Sequence, residues 1–318
     1  MNKLHNFLDY ASNQYSIGNP IVSDLVFDKL AEDSNYSKVG ADLILGKKAK
    51  HLYSMYSLLK WYEDEGKKDP LEGFVTTKTT KLDGAAISLQ YKDGVLVQAL
   101  TRGNGEEGLI ITDKMYEYAN LVPLKIPTNS TLQITGEIVA NKFIENSRNY
   151  AAGSLNLKDL AEFRTRALQF FAYQVYPFLT NTWLCDIEIL KSWGFNSVTE
   201  PDLDQIYPSD GVVVRVNDNK HFEELGYTSK HPKGAYAIKQ RAQHVETTLL
   251  AVEWQVGKSG KVTPVAILEP VYIEDALVSR ATLNNPGFIE ALDLQIGDTV
   301  AVARAGSIIP CILHKISG

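Results

Sequence analysis

Lys81-Leu82-Asp83-Gly84 closes the run Gly73-Phe74-Val75-Thr76-Thr77-Lys78-Thr79-Thr80 and holds the densest chemistry in the chain. Side chains alternate along a strand, so Lys81 and Asp83 share one face and Leu82 takes the other. An amine and a carboxylate are thereby paired. Gly84 has no Cβ, which lets the chain turn and lets a ligand approach the backbone. A lysine so placed is either a solvated surface charge or a nucleophile, and a four-residue motif alone does not decide between them. Glu137 falls inside the apolar run Leu132 to Val139, where a carboxylate is costly unless it is solvated or bound; an exposed strand face is the competing reading. Asp210 and Arg215 share the run Asp210-Gly211-Val212-Val213-Val214-Arg215-Val216. Strict alternation puts them on opposite faces, so both serve one site only if the chain bends near Gly211. Lys239 ends Ala235-Tyr236-Ala237-Ile238 and is either a site cation or a charge guarding an edge strand.

The elements that must position these groups can be read in outline. Leu4, Phe7, Leu8 and Ala11 recur at helical spacing until Gly18-Asn19-Pro20, and a second helix starts after Ser23 as N-cap. Residues 36–70 read as a connecting arm, ending in the charged turn Glu63-Asp64-Glu65-Gly66-Lys67-Lys68-Asp69-Pro70. From Phe74 the pattern becomes alternating. Asp93-Gly94 between Ala86 to Tyr91 and Val95 to Ala99 predicts a hairpin. Its second strand delivers Thr101-Arg102-Gly103-Asn104-Gly105-Glu106-Glu107-Gly108, which contains Gly-x-Gly-x-x-Gly. A dinucleotide fingerprint needs a βαβ unit, so a glycine-rich turn beside a site is the better reading. Leu168 to Tyr176 predicts a buried strand and Asp186 to Trp193 a helix ended by Gly194. Short strands at Leu249 to Val256, Val262 to Pro270, Asp298 to Arg304 and Ile308 to Leu313, with the turn Gly257-Lys258-Ser259-Gly260, suggest a small OB-type barrel.

Composition narrows the function classes. With 44% hydrophobic and 22% charged residues the chain is globular, and 318 residues exceed one ordinary core. A net charge of −6 excludes binding to nucleic acid by bulk charge alone, so any such contact is local and shaped. Cys185 and Cys311 form no Cys-x-x-Cys pair, so neither a zinc site nor a disulfide framework is indicated and a reduced cytoplasm fits. The most apolar run, Ala167 to Leu179, is broken by Gln169 and Gln174, and no membrane span is expected.

Taken together the ordered motifs resemble the NAD-dependent DNA ligases over nearly the whole chain. Lys81-Leu82-Asp83-Gly84 is similar to the nucleotidyl-lysine motif, followed by Thr101-Arg102-Gly103-Asn104-Gly105, Gly136-Glu137, Arg148-Asn149 with Ala151-Ala152-Gly153-Ser154-Leu155, Asp210-Gly211-Val212-Val213 and Ala237-Ile238-Lys239. The tail is the most specific part: Trp254-Gln255-Val256-Gly257, Thr263-Pro264-Val265-Ala266, Leu268-Glu269-Pro270-Val271, Val278-Ser279-Arg280-Ala281-Thr282-Leu283, Gly297-Asp298 and Arg304-Ala305-Gly306. The resemblance implies an α+β multidomain chain: a helical nicotinamide-binding module with its arm at 1–68, an antiparallel-sheet nucleotidyltransferase domain at 69–242, and an OB-fold barrel at 243–318.

It implies chemistry as well. Lys81 would attack the α-phosphate of NAD and carry AMP to the 5′-phosphate of a nick in double-stranded DNA, which the 3′-OH then displaces. Asp83, Asp210, Arg215 and Lys239 complete the implied catalytic set, and Arg102, Glu137, Ser57, Leu58, Lys239, Tyr15, Asp24 and Asp28 the implied NAD contacts. Arg148 and Arg280 would face nucleic acid, and magnesium would bridge phosphate oxygens without a dedicated protein ligand set. Departures from the family pattern are Thr79 for an acidic residue, Arg215 for a lysine, Asn156 for an arginine, Ser16 for a histidine and Phe27 for a tyrosine. The chain stops at Gly318 as the barrel finishes, so a short form without zinc, helix-hairpin-helix or BRCT modules is expected; a viral owner, and then the host cytoplasm, stays open. Two rivals are kept: the adenylating half of a split ligase completed by a second polypeptide, and an ATP- or GTP-using nucleotidyltransferase.

Overall fold

The computed structural model describes residues 3–16, 19–36, 47–62, 66, 68–118, 120–239, 244–256, 262–273, 276–305 and 309–316. The turns expected at Gly18, Glu63 to Glu65 and Gly257 to Gly260 lie outside the described residues. The chain divides into two compact units, one of Met1–Tyr15, Asn19–Lys38 and Arg241–Gly318, the other of Ser16–Gly18 and Val39–Gln240. No helix of the described residues is long and apolar enough to cross a membrane.

The larger unit is built on two sheets. In the five-stranded sheet the order is Val95–Thr101, Ala85–Lys92, Leu132–Val139, Gln169–Tyr176 and Asn196–Ser197. Asp93 and Gly94, with φ of 49° and 77°, form the turn of the expected hairpin; positive φ at both central positions matches the twist of the flanking strands. Leu132–Val139 sits centrally and is covered on both faces, which explains why its residues are nearly all buried and why it reads as an apolar run. Ile87, Leu89, Ile134, Ile138 and Phe170 make the core there. In the four-stranded sheet the order is Leu59–Trp61, Ala235–Ile238, Ser209–Val216 and Thr76–Leu82. The helix Trp183–Ser192 is capped by the Thr182 hydroxyl, which accepts from the Cys185 N–H, and ends at Gly194 with φ of 94°.

The smaller unit is a closed barrel of His244–Val256, Val262–Ile273, Ala276–Thr282, Ile309–Lys315 and Thr299–Ala305, with Ala276–Thr282 as a strand that the alternation pattern did not announce. Two helices, Lys3–Ser16 and Asp24–Asp33, join its core. Phe7, Leu8, Ala11, Val26 and Leu30 are buried in one apolar cluster with Leu283, Phe288 and Ile312 of the barrel segment. Asn285 ties the parts together: its Nδ2 donates to the Ile21 carbonyl at 2.8 Å while its Oδ1 accepts from the Phe288 N–H at 3.0 Å. Ser23 caps the second helix through the Val26 N–H, as its position announced.

These compact units cut the chain differently from the segments 1–68, 69–242 and 243–318. A pair of short helices cannot bury two apolar stripes against each other alone, and here the barrel covers them. Two short strands of the arm, in contrast, belong to the larger unit. Lys48–Lys50 pairs with Glu107–Leu109, and Leu59–Trp61 runs parallel to Ala235–Ile238.

Candidate active site

Thr76–Leu82 carries Lys81 near its end and runs antiparallel to Ser209–Val216, with Ser209 opposite Leu82 and Val212 opposite Thr80. Lys81 therefore faces two residues, Asp210 and Gly211, a β-bulge that re-aims the side chains around it. Gly211 is required for this. Its φ is +147°, and a Cβ there would lie 2.2 Å from the Ile238 carbonyl oxygen. The bend anticipated near Gly211 is present. Past it, Arg215 stands opposite Thr77 and so shares the Lys81 side of the sheet instead of the opposite one.

Asp210 binds two lysines. Lys81 Nζ donates to Oδ1 at 2.7 Å, and Lys239 Nζ lies 2.9 Å from Oδ2. Burial opposes the charge on Asp210, but the two ammonium groups outweigh it and hold its carboxyl below the usual range. Lys239 follows directly on Ala235–Ile238, which is an interior strand between Leu59–Trp61 and Ser209–Val216. The edge-guard explanation for this lysine therefore fails.

Glu137 faces the same place from the other sheet. Its Oε1 accepts from the Gly84 N–H at 3.2 Å, and a Cβ on Gly84 would lie 2.1 Å from the Ile138 carbonyl oxygen, so only glycine brings this turn so close. Burial pushes the Glu137 carboxyl up to about 7, against the pull of Lys81, Arg102 and the Gly84 N–H, with Asp210 adding to the rise. Lys81, Arg102 and Asp210 are thus all within electrostatic reach of one carboxyl group, and the exposed-face reading of Glu137 is excluded. Tyr173 joins them. Burial raises its phenol far above the usual range, with Glu137 adding and Arg102 opposing. The aromatic run Phe170-Phe171-Ala172-Tyr173 concealed it in the sequence, because three of those four side chains are core.

Asp83 does not pair with Lys81. The strand ends at Leu82, so alternation stops there, and Asp83 Oδ1 lies 2.9 Å from Arg148 Nη1. Arg148 belongs to the helix Ser147–Leu155; burial lowers its guanidinium to about 10, while Asp210 pulls it up. Ser57 and Leu58 lie on the arm, where the Ser57 N–H donates to the Lys230 carbonyl at 3.1 Å and Leu58 packs on the core around Leu71 and Val214. Arg215 is buried. Its guanidinium sits 3.7 Å from the centroid of the Phe222 ring with Phe178 and Trp183 beside it, Nη2 donates to Asn219 Oδ1 at 3.2 Å, and Asn219 Nδ2 donates to Asp186 Oδ2 at 2.8 Å. Burial brings it down to about 10. None of these contacts belongs to the Lys81 cluster.

Within the smaller unit, Tyr15 is on Lys3–Ser16 and Asp28 on Asp24–Asp33; the Asp24 side chain lies outside the described residues. Arg280, on Ala276–Thr282, is half-exposed and donates from Nη2 to Glu253 Oε2 at 2.7 Å. Among the described residues no group of three His, Cys, Asp or Glu side chains could hold a metal ion by itself, and Cys185 and Cys311 are not joined in a disulfide.

Comparison with known proteins places this geometry. The model of the NAD-dependent DNA ligase adenylation domain matches residues 46–206, and that of the NAD-dependent DNA ligase OB-fold domain matches residues 246–317. The first span contains Lys81, Arg102, Glu137 and Arg148; Asp210, Arg215 and Lys239 lie beyond it. A DNA ligase of Flavobacterium johnsoniae is 36% identical over 367 residues, covering 95% of this chain and 54% of that protein. A DNA ligase of Brachyspira hyodysenteriae is 33% identical, covering 95% and 55%. The chain spans about half the length of these curated relatives. Among solved structures, a minimal-scaffold Lig E DNA ligase has a TM-score of 0.44 at 14% identity, covering 84% of this chain and 100% of that one. The Chlorella virus DNA ligase-adenylate has a TM-score of 0.35 at 12% identity, covering 83% and 100%. With its adenylation-domain model covering half of the residues and its OB-fold model most of the tail, the chain belongs to the NAD-dependent DNA ligase family.

Proposed function

We propose that the chain self-adenylates on Lys81 with NAD and passes the AMP to the 5′-phosphate of nicked double-stranded DNA, where the 3′-OH displaces it. The observation that carries this reading is the convergence of Lys81, Lys239 and Asp210 with Glu137 and Arg102 around one turn at Gly84. Lys81 Nζ attacks the α-phosphorus of NAD; the P–O bond to nicotinamide mononucleotide breaks and that group leaves with the electron pair, while the amine proton is lost to solvent. The amine must be neutral to attack. Lys239 already holds the other oxygen of Asp210, so the carboxylate keeps a cationic partner when Lys81 gives up its charge.

Glu137 is suited to accept hydrogen bonds from ribose hydroxyls, and Arg102 and Tyr173 border the same space. Asp83 and Arg148 act as a pair beside the nucleophile, with Arg148 and Arg280 as the nucleic-acid candidates. Ser57 and Leu58 are assigned to the nucleotide, and Tyr15, Asp24 and Asp28 to its nicotinamide half. Arg215 contributes in this reading at a distance, by anchoring farther along the strand that carries Asp210. A magnesium ion would be held chiefly by phosphate oxygens, with Asp210 and Glu137 the carboxylates placed to reach it through water; its chemistry there is neutralisation of phosphate charge. A cytoplasmic setting fits two cysteines that form no disulfide.

The test is direct. Intact-mass measurement after incubation with NAD, and separately with ATP, is expected to show gain of one AMP with NAD only, and none in Lys81→Ala. An adduct in Lys81→Ala would sink the assignment of the nucleophile, and an adduct from ATP alone would favour the other nucleotidyltransferases. Sealing of a nicked duplex by the isolated chain, at a rate comparable with its self-adenylation, would remove any need for a second polypeptide.

A further inference from the structure

The arm holds a histidine that no part of the proposed chemistry uses. His51 lies just past Lys48–Lys50, half-buried, with both ring nitrogens engaged by the sheet beneath it. Nδ1 is 2.7 Å from the hydroxyl oxygen of Ser88, itself buried, and Nε2 is 3.0 Å from the carbonyl oxygen of Arg102. Burial keeps the imidazole below its usual pKa even though the Arg102 carbonyl favours the charged form. The neutral ring has one N–H. A carbonyl can only accept, so Nε2 carries the proton and donates to Arg102, and Nδ1 accepts from the Ser88 hydroxyl.

The arm grips the Arg102 loop at further points. The His51 N–H donates to the Glu106 carbonyl at 2.9 Å, and the Met55 N–H donates to Gly105 at 2.8 Å. Gln133, buried in the central strand, anchors the stretch between them, accepting from the Tyr53 N–H at 3.0 Å and donating to the Tyr53 carbonyl at 2.8 Å. Of these contacts only the imidazole reaches Arg102 itself. The Arg102 N–H is fixed on the other side by the Ala86 carbonyl at 2.9 Å, and the Arg102 carbonyl also accepts from the Gly105 N–H of its own turn at 3.0 Å, so His51 is the second donor to that oxygen and the one that comes from the arm.

We propose that His51 is a positioning residue for self-adenylation: its Nε2–H joins the Gly105 N–H on the Arg102 carbonyl, ties that turn to the arm and so aims the Arg102 guanidinium into the space it shares with Glu137. This rests on the assignment of Lys81 as the adenylated nucleophile. A glutamine amide nitrogen falls near the Nε2 position and an asparagine one near Nδ1, so the two amides separate the two hydrogen bonds.

Single-turnover self-adenylation by the full chain over a range of NAD concentrations, followed by intact mass, tests the inference. His51→Ala is expected to slow adduct formation by about tenfold, which corresponds to about 1.4 kcal/mol. His51→Gln is expected to recover most of that rate, and His51→Asn is not. His51→Ala added to Arg102→Ala is expected to cost nothing further, because the guanidinium it aims is gone. Equal rescue by Asn and Gln would overturn the proposal, as would losses from His51→Ala and Arg102→Ala that multiply. If His51→Ala is recovered unfolded, the Gln and Asn pair still decides, since each keeps a polar group in the cavity. A wild-type chain that forms no adduct with NAD would instead defeat the reading of Lys81, and that result is visible before any His51 variant is made.

Discussion

Glu137 gives the sharpest quantitative test of the site. Its carboxyl is raised from 4.5 to about 7. The folded chain therefore binds a proton between those values that the unfolded chain releases. Below about 4.5 both states are protonated and nothing is lost; as pH rises through 7 the folded state comes to carry a buried carboxylate that the unfolded state solvates freely. Stability attributable to this group thus falls with rising pH across that window. At about 1.4 kcal/mol per pKa unit the full cost is about 3 kcal/mol, an upper bound because the carboxyl keeps some contact with solvent. Glu137→Gln keeps an acceptor for the Gly84 N–H and removes the titration. At about 2–4 °C per kcal/mol for a domain of this size, the melting temperature of Glu137→Gln relative to wild type should gain up to about 10 °C between pH 5 and pH 8. Thermal unfolding followed by circular dichroism at closely spaced pH values measures it. A difference between the two proteins that stays flat over that range would refute the burial argument, and with it the placement of Lys81, Arg102 and Asp210 around this carboxyl.

Gly211→Ala should be among the most damaging small changes in the chain, because it combines a φ of +147° with a Cβ 2.2 Å from the Ile238 carbonyl oxygen. A loss of about 2 kcal/mol or more in urea unfolding is expected, together with slower adduct formation, since the bulge sets Asp210 against Lys81. Arg215→Lys keeps the charge but gives up the guanidinium contact with the Phe222 ring and the hydrogen bond to Asn219; a loss of about 1–3 kcal/mol is expected, with adduct formation retained where the protein is folded.

What the sequence disclosed follows the range of the interactions involved. The Asp93-Gly94 hairpin and the Ser23 cap are decided within a few residues, and both were legible. The bulge at Gly211 was legible as a condition, because a strand with Asp210 and Arg215 on one face needs an extra residue between them. The cover over Arg215 was not. Phe178, Trp183 and Phe222 reach it from separate segments, and no spacing within the strand announces them. The arm hid its strands because Lys48–Lys50 and Leu59–Trp61 are three residues each, too short for alternation to show. Ser147–Leu155 was hidden too: Asn146 precedes it in the left-handed region without a side-chain cap, and Gly153 weakens it. The stripe Phe7, Leu8 and Ala11 told that a face is buried, but a stripe does not say by what, and the barrel segment that covers it comes from the other end of the chain.

The pairing seen around Asp210 bears on how a lysine can be both held and reactive. A carboxylate with a single ammonium partner would lose its only counter-charge when that amine became neutral, and in a partly buried place this penalty would work against the nucleophile. Asp210 avoids it because each oxygen has its own lysine, at 2.7 Å and 2.9 Å. In the proposed reaction Lys239 would have two uses at one position: it would keep Asp210 paired while Lys81 reacts, and its positive charge would favour an incoming phosphate. The bulge makes this sharing possible, since with the register of Val212–Val216 carried on unbroken Asp210 would stand opposite Leu82 and leave the face on which Lys81 stands. Replacing Lys239 by methionine should therefore cost more in the adenylation rate than in stability, as the resting protein keeps the Lys81–Asp210 bond and loses its spare partner only when Lys81 is neutralised. A variant equally impaired in folding and in adduct formation, compared by urea unfolding and intact mass on the same preparation, would show that Lys239 is a structural charge and that Asp210 needs no second partner.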